Sequence, residues 1–189
     1  GNDEPTQVKD VNLAIDPETG VAKLTWSPVT TGINGGYIGN ITYNVVRYPD
    51  STTVATGLAD TEFTETFSAE EPLQTYSYGV AAVNDTQTGV AGISNKSVFG
   101  AAIVPPYSEP LDNESALELY TIIDNNEDGS TWEFNEKEGA ASYKYSRVND
   151  GDDWLITPAI QLKGGKLYSV SFETCGYGYT YHERIEVKY

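Results

Sequence analysis

Apolar and polar residues alternate in short runs through residues 1–104. Val21-Ala22-Lys23-Leu24-Thr25-Trp26 places Ala22, Leu24 and Trp26 on one face. A period of two is that of a half-buried strand. Ile41 to Tyr48 repeats it with Tyr43 and Val45 on one face, and Phe63 to Phe67 repeats it again. The longest run, Tyr76 to Asn84, sets Tyr76, Tyr78, Val80 and Ala82 on one side, and Ser94 to Phe99 closes the set. Turn residues separate the runs, which predicts a β-sandwich. Residues 1–10 are polar and read as a frayed end. Thr30 to Asn40 is longer than a tight turn and glycine-rich, so it reads as a mobile loop with Tyr37 near its tip. Both a binding loop and a plain insertion fit it, since loop length costs little.

Ala101 to Pro110 reads as a domain boundary. Pro105-Pro106 lacks amide donors and stiffens the chain, which suits a short spacer. The division is residues 1–104 and 105–189. In the second part the spacing predicts a helix over Asn113 to Ile123, capped by Asn113. Strand patterns follow at Tyr143 to Val148, Trp154 to Ile156, Leu167 to Thr174 and Tyr181 to Tyr189.

Composition agrees with an all-β chain: of 189 residues, 18 are Gly, 9 Pro and 14 Tyr, with no Met. The net charge of −17 is spread over both parts, −8 in residues 1–104 and −9 in residues 105–189. Phosphate backbones and anionic membrane surfaces are repelled by both, so nucleic-acid partners are excluded. The acidity suits cation binding and solubility. Cys175 is the one cysteine, so no internal disulfide forms, and it reads as a small core residue. No apolar run reaches the roughly 18 residues needed to span a bilayer. Gly1 fits either a tag scar or a mature start after export.

The densest chemistry lies at Asp124-Asn125-Asn126-Glu127-Asp128-Gly129, with Asp152-Asp153 further on. Oxygen side chains at alternate positions, then a Gly that permits a sharp turn, suit a hard cation such as Ca²⁺, which takes roughly six to eight oxygens. An EF-hand does not fit, because its twelfth position would be Asn135 where a bidentate Glu is needed. Asp124, Asn126, Asp128 and Asp153 are therefore the candidate Ca²⁺ ligands, against the plain alternative of a solvated acidic turn. Tyr177, Tyr179 and Tyr181 share one face and are candidates either to stack on sugar rings or to pack in a core. His182 is the only histidine and has no nucleophile elbow to serve. Asp152 and Asp153 are adjacent, so on a strand they point to opposite faces and make a poor glycosidase pair. No phosphate-binding Gly-rich loop opens a helix. The reading is non-enzymatic.

Two resemblances carry the rest. "LTW" at residues 24–26 and "YSYGVAAVN" at residues 76–84 make residues 8–103 resemble a fibronectin type III domain. That resemblance implies a core role for Trp26 and a tyrosine corner at Tyr76, its hydroxyl bonding nearby backbone. "DNNEDGSTW", "DDWLITPAIQL", "GGKLYSVSFE" and "ERIEV" make the last part similar to the start of a cleaved-adhesin, or choice-of-anchor J, jelly roll of bacterial surface proteins such as gingipain adhesins. It implies a longer domain than residues 105–189 supply, hence a truncated jelly roll whose apolar faces lack a partner sheet. Self-association, or pairing with the missing half, would cover them. The resemblance also implies an extracellular or cell-surface location and adhesion to a host or bacterial surface protein or glycan. The rival reading makes both parts accessory carbohydrate- or protein-binding modules of a larger secreted protease or glycosidase.

Overall fold

The alternation at residues 21–26 builds the centre of the first sheet. The computed structural model describes residues 2–144, 146, 148–176 and 184–188. In it β2 (Val21–Thr25) lies between β1 (Asn12–Ile15) and β5 (Glu62–Thr66), antiparallel to both. A second antiparallel sheet runs β4 (Thr52–Leu58), β3 (Thr42–Tyr48), β6 (Gln74–Val83), β7 (Gly92–Ile93), with β8 (Ser97–Phe99) also on β6. This is the strand partition of a fibronectin type III sandwich, and the chain is an all-β protein.

Ala22, Leu24 and Trp26 from one sheet join Tyr43, Val45, Tyr76, Tyr78, Val80 and Ala82 from the other in one buried cluster. Each large side chain removed from water there contributes about 1.5–3 kcal/mol. Trp26 meets the edge of Tyr43 at a centroid distance of 5.4 Å. Tyr76 is buried by stacking on Phe67 at 4.1 Å. Among the described residues its hydroxyl makes no backbone hydrogen bond, so the expected tyrosine corner is not formed there. Within the sandwich, the Tyr43 hydroxyl does meet backbone, accepting from the Val29 N–H at 2.9 Å.

Four readings of the first part change. β1 and β4 give no strong apolar alternation, and pairing with their neighbours makes them strands. Ser94 to Phe99 is not one strand. Ser94 Oγ instead accepts from the Tyr78 N–H, and the Asn95 amide bonds both the N–H and the carbonyl of Leu13. Residues 2–8 are not frayed, since Pro5 and Val8 are buried. Nor is the Thr30–Asn40 segment loose, because those same residues tie it down.

Among the described residues of the second part only Glu114–Leu117 is helical (α1), with Asn113 Oδ1 accepting from the Ala116 N–H at 2.9 Å as expected of a cap. The predicted helix ends early because Thr121, Ile122 and Ile123 are β-branched and find a strand partner. They form β9 (Thr121–Asp124), antiparallel to β12 (Asp153–Ile156). β10 (Trp132–Asn135) and β11 (Ala140–Tyr143) make a second antiparallel pair. Thus Tyr143 ends a strand rather than beginning one. Leu167 to Thr174 forms no strand, and Leu167 and Val170 are 100% and 81% exposed. Cys175, in the same stretch, is exposed and not a core residue. The boundary segment is pinned: the Ile103 N–H donates to the Ala159 carbonyl and the Gln161 N–H to the Ile103 carbonyl, both at 2.8 Å. Among the described residues no helix is long and apolar enough to cross a membrane.

Candidate metal centre

The β9–β12 register decides which acidic residues meet. Asp124 and Asp153 are directly opposed across the pair. Asp124, Asp153, Ile122 and Leu155 are half-buried on one face, while Ile123 and Trp154 face outward. Beyond β9 the turn keeps the same alternation: Asn126 and Asp128 are half-buried, and Asn125, Glu127 and Gly129 are exposed. The sequence spacing therefore placed the alternate oxygens on one side. Glu127 at φ 55° and Gly129 at φ 77° give the two left-handed residues that fold the turn back on itself.

Much of that oxygen set is engaged with the loop's own backbone. Asp124 accepts from the Asp128 N–H at 3.2 Å and the Gly129 N–H at 2.8 Å. Asn126 Oδ1 also accepts from the Asp128 N–H, at 3.2 Å. Asp128 accepts from the Ser130 N–H at 2.8 Å and from Asn149 Nδ2 at 3.3 Å. These bonds, the Ser130 N–H first, hold the Asp128 carboxyl below the usual carboxylate range. Asn125 Nδ2 and Asn126 Nδ2 reach across to Asp152 and to the Asp150 carbonyl, closing residues 124–130 onto 150–152. Asp152 is exposed and Asp153 faces inward, as their adjacency requires.

Asp153 is different. Among the described residues, both its carboxylate oxygens are buried without a hydrogen-bond partner, and so are Thr131 Oγ1, Trp132 Nε1 and the Tyr143 hydroxyl. Burial, then Asp153 facing the phenol, then the charges of Asp128 and Asp124 push the Tyr143 hydroxyl up to about 12. The phenol and Asp153 thus interact electrostatically without reaching hydrogen-bond geometry. A buried carboxylate lacking a donor costs several kcal/mol unless a cation or a proton compensates it. On this test Asp153 suits a hard cation. The other three candidates suit it less fully, since each oxygen has one lone pair engaged. Among the described residues no three Asp, Glu, His or Cys side chains stand close enough to share one ion. An ion here would draw its ligands together rather than enter a finished cage.

Thr131 and Trp132, directly after the turn, and Tyr143, the cross-strand partner of Trp132, were missed by spacing arguments. The β10–β11 register sets Tyr143 opposite Trp132, and the Tyr143 phenol faces Asp153. Tyr177, Tyr179, Tyr181 and His182 lie outside the described residues.

No known family profile matches the chain, and no curated protein matches it. Solved structures do. The crystal structure of FN3tt is 18% identical over 51% of this chain and 95% of its own, at a TM-score of 0.39. A Fn3-like protein from Clostridium thermocellum is 22% identical over 58% of this chain and 99% of its own, at 0.36. The FN1–FN3 domains of chicken CNTN1 are 18% identical over 83% of this chain and 59% of their own, at 0.36. At these scores the fold of the first part rests on its own strand order.

Proposed function

We propose that the chain is a non-enzymatic, extracellular adhesion or ligand-binding segment of a bacterial surface protein, with Ca²⁺ stabilising its second part. The observation that carries the reading is the buried, donor-free carboxylate of Asp153, opposed to Asp124 and backed by the 124–128 turn. Asp124, Asn126, Asp128 and Asp153 would hold the ion. Bound there, Ca²⁺ supplies compensating charge and ties β9–β12 to the turn. The sandwich of residues 1–104 presents loops at its ends, and the acidic surface favours a surface protein or glycan over nucleic acid. Exposed Trp154 and Tyr168 add aromatic surface to the second part.

Calorimetry with Ca²⁺ on chelator-treated protein tests it. Saturable heat below about a millimolar, the range of extracellular Ca²⁺ modules, with a higher melting temperature for the second part, is the expected result. Asp153→Asn removes both. No heat and no thermal shift up to about a millimolar overturns the calcium reading.

A further inference from the structure

Residues 2–8 lie in a groove between two loops of the sandwich, one around residues 31–37 and one around residues 84–89. The backbone pairs in extended register. The Asp3 N–H donates to the Tyr37 carbonyl at 2.7 Å, the Ile33 N–H to the Glu4 carbonyl at 2.9 Å, and the Thr6 N–H to the Thr31 carbonyl at 3.1 Å. From the other wall, Asn84 Nδ2 donates to the Asp3 carbonyl at 2.8 Å.

Two side chains are recognised specifically. The Asp3 carboxylate accepts from the Asn34 N–H, the Gly36 N–H and Asn34 Nδ2 at 2.8–2.9 Å. The N–H groups of Asn34 and Gly36, turned onto one carboxylate oxygen, make an anion nest around Asp3. Pro5 is among the most completely buried side chains of the chain. The walls leave no slack. A Cβ on Gly32 would stand 2.3 Å from an Asp3 carboxylate oxygen, and one on Gly89 2.4 Å from the Pro5 carbonyl oxygen. The missing side chains at positions 32 and 89 are the space the strap occupies.

None of these bonds depends on the covalent link between the strap and β1. We infer that this groove is a binding site for an extended Asp-x-Pro peptide, filled in cis by residues 2–6 and able to take the same segment of a second copy in trans. Exchange of an identical element is a low-cost route to association, because the contacts are those already optimised in cis. A short tether gives the cis strap an effective concentration of about millimolar, so exchange is favoured where copies are crowded together.

The probe is a fluorescent synthetic peptide of residues 2–8, Asn-Asp-Glu-Pro-Thr-Gln-Val, read by anisotropy on the full chain. Asp3→Ala with Pro5→Ala frees the groove, and the peptide should bind that variant at least about 100-fold more tightly than wild type. Adding Gly32→Val should abolish binding, as should Asp3→Ala within the peptide. Equal binding to wild type and to the freed variant, or no binding to a freed variant with native tryptophan fluorescence, overturns the inference. A second measurement needs no loosened strap. Thr6→Cys with Thr31→Cys, in a Cys175→Ser background, places the paired residues for cross-linking. Disulfide-linked dimer rising with protein concentration supports exchange, and monomer alone at about millimolar protein overturns it.

Discussion

The Tyr78 hydroxyl on β6 donates a hydrogen bond to the Glu65 carboxylate on β5, so a phenol and a carboxylate join the two sheets of the sandwich. Glu65 also accepts from Arg47 Nη1 at 2.7 Å, and Arg47 Nη2 reaches Asp50 at 2.7 Å. The guanidinium lies over the Phe67 ring. Burial, and then the bond to Glu65, raise the Tyr78 phenol far above its ordinary range. The chain from Tyr78 to Asp50 is thus a satisfied polar network at the margin of an apolar core.

Tyr78→Phe removes one bond from Glu65 while Arg47 still compensates its charge. The expected cost is about 1–2 kcal/mol in urea melts. Arg47→Met leaves the Glu65 carboxylate without its charged donor and should cost more, about 1.5–3 kcal/mol. An Arg47 variant more stable than the Tyr78 variant would show that the network does not depend on the ion pair.

Trp26→Ala should cost about 3–5 kcal/mol, because the indole fills the space against the Tyr43 edge and little can collapse into it. The buried Trp26 Nε1 has no partner among the described residues, so the loss is one of packing and not of a hydrogen bond. A change within about 0.5 kcal/mol of wild type would place Trp26 outside the core.

Asp3, Asp16, Asp50 and Asp128 all have carboxyls lowered from the ordinary value of 3.8. The leading causes are the Asn34 side chain, the Thr19 N–H, the Arg47 guanidinium and the Ser130 N–H, in that order of residues. A lowered folded-state pKa contributes stability that is present above the unfolded value and lost as pH falls through the folded one. Melting temperature should therefore hold from about pH 7 to 5 and drop below about pH 4. Asp50→Asn should flatten part of that drop. A melting temperature that climbs on acidification below pH 4 would contradict the assignment.

Tyr143 offers a test of the proposed calcium site. The carboxylates facing it raise its pKa, so a cation among them must lower it. Absorbance titration of the tyrosinate, taken as wild type minus Tyr143→Phe, should show a fall on adding Ca²⁺. Asp153→Asn should lower the Tyr143 pKa without Ca²⁺ and remove the response to it. An unchanged titration in the presence of bound Ca²⁺ would put the ion elsewhere.

Much of the first sheet pair was legible because strand periodicity is local. Ala22, Leu24 and Trp26, and Tyr76, Tyr78, Val80 and Ala82, each declare a buried face within a few residues. Phe63-Thr64-Glu65-Thr66-Phe67 was legible as a strand, but the partners of Glu65 on it, Tyr78 and Arg47, came only from the structure. In the acidic turn the alternate donors did fall on one side. Their capture by backbone N–H groups was not visible, because it depends on the left-handed turn at Glu127 and Gly129.

The sequence by itself determined the strand period, the core aromatics, the Asn113 cap and the shared side of Asp124, Asn126 and Asp128, since each depends on neighbours within a turn or a strand. Tertiary structure alone decided that Thr121–Asp124 would be strand rather than helix, because that choice required Asp153–Ile156 as a partner. It also decided the fate of the polar residues at the start of the chain. Asp3 meets Asn34 across 31 positions, and the glycines that read as loop flexibility are the space into which the strap packs. Composition sees only that those residues are small and polar. Which backbone they approach is set by the fold.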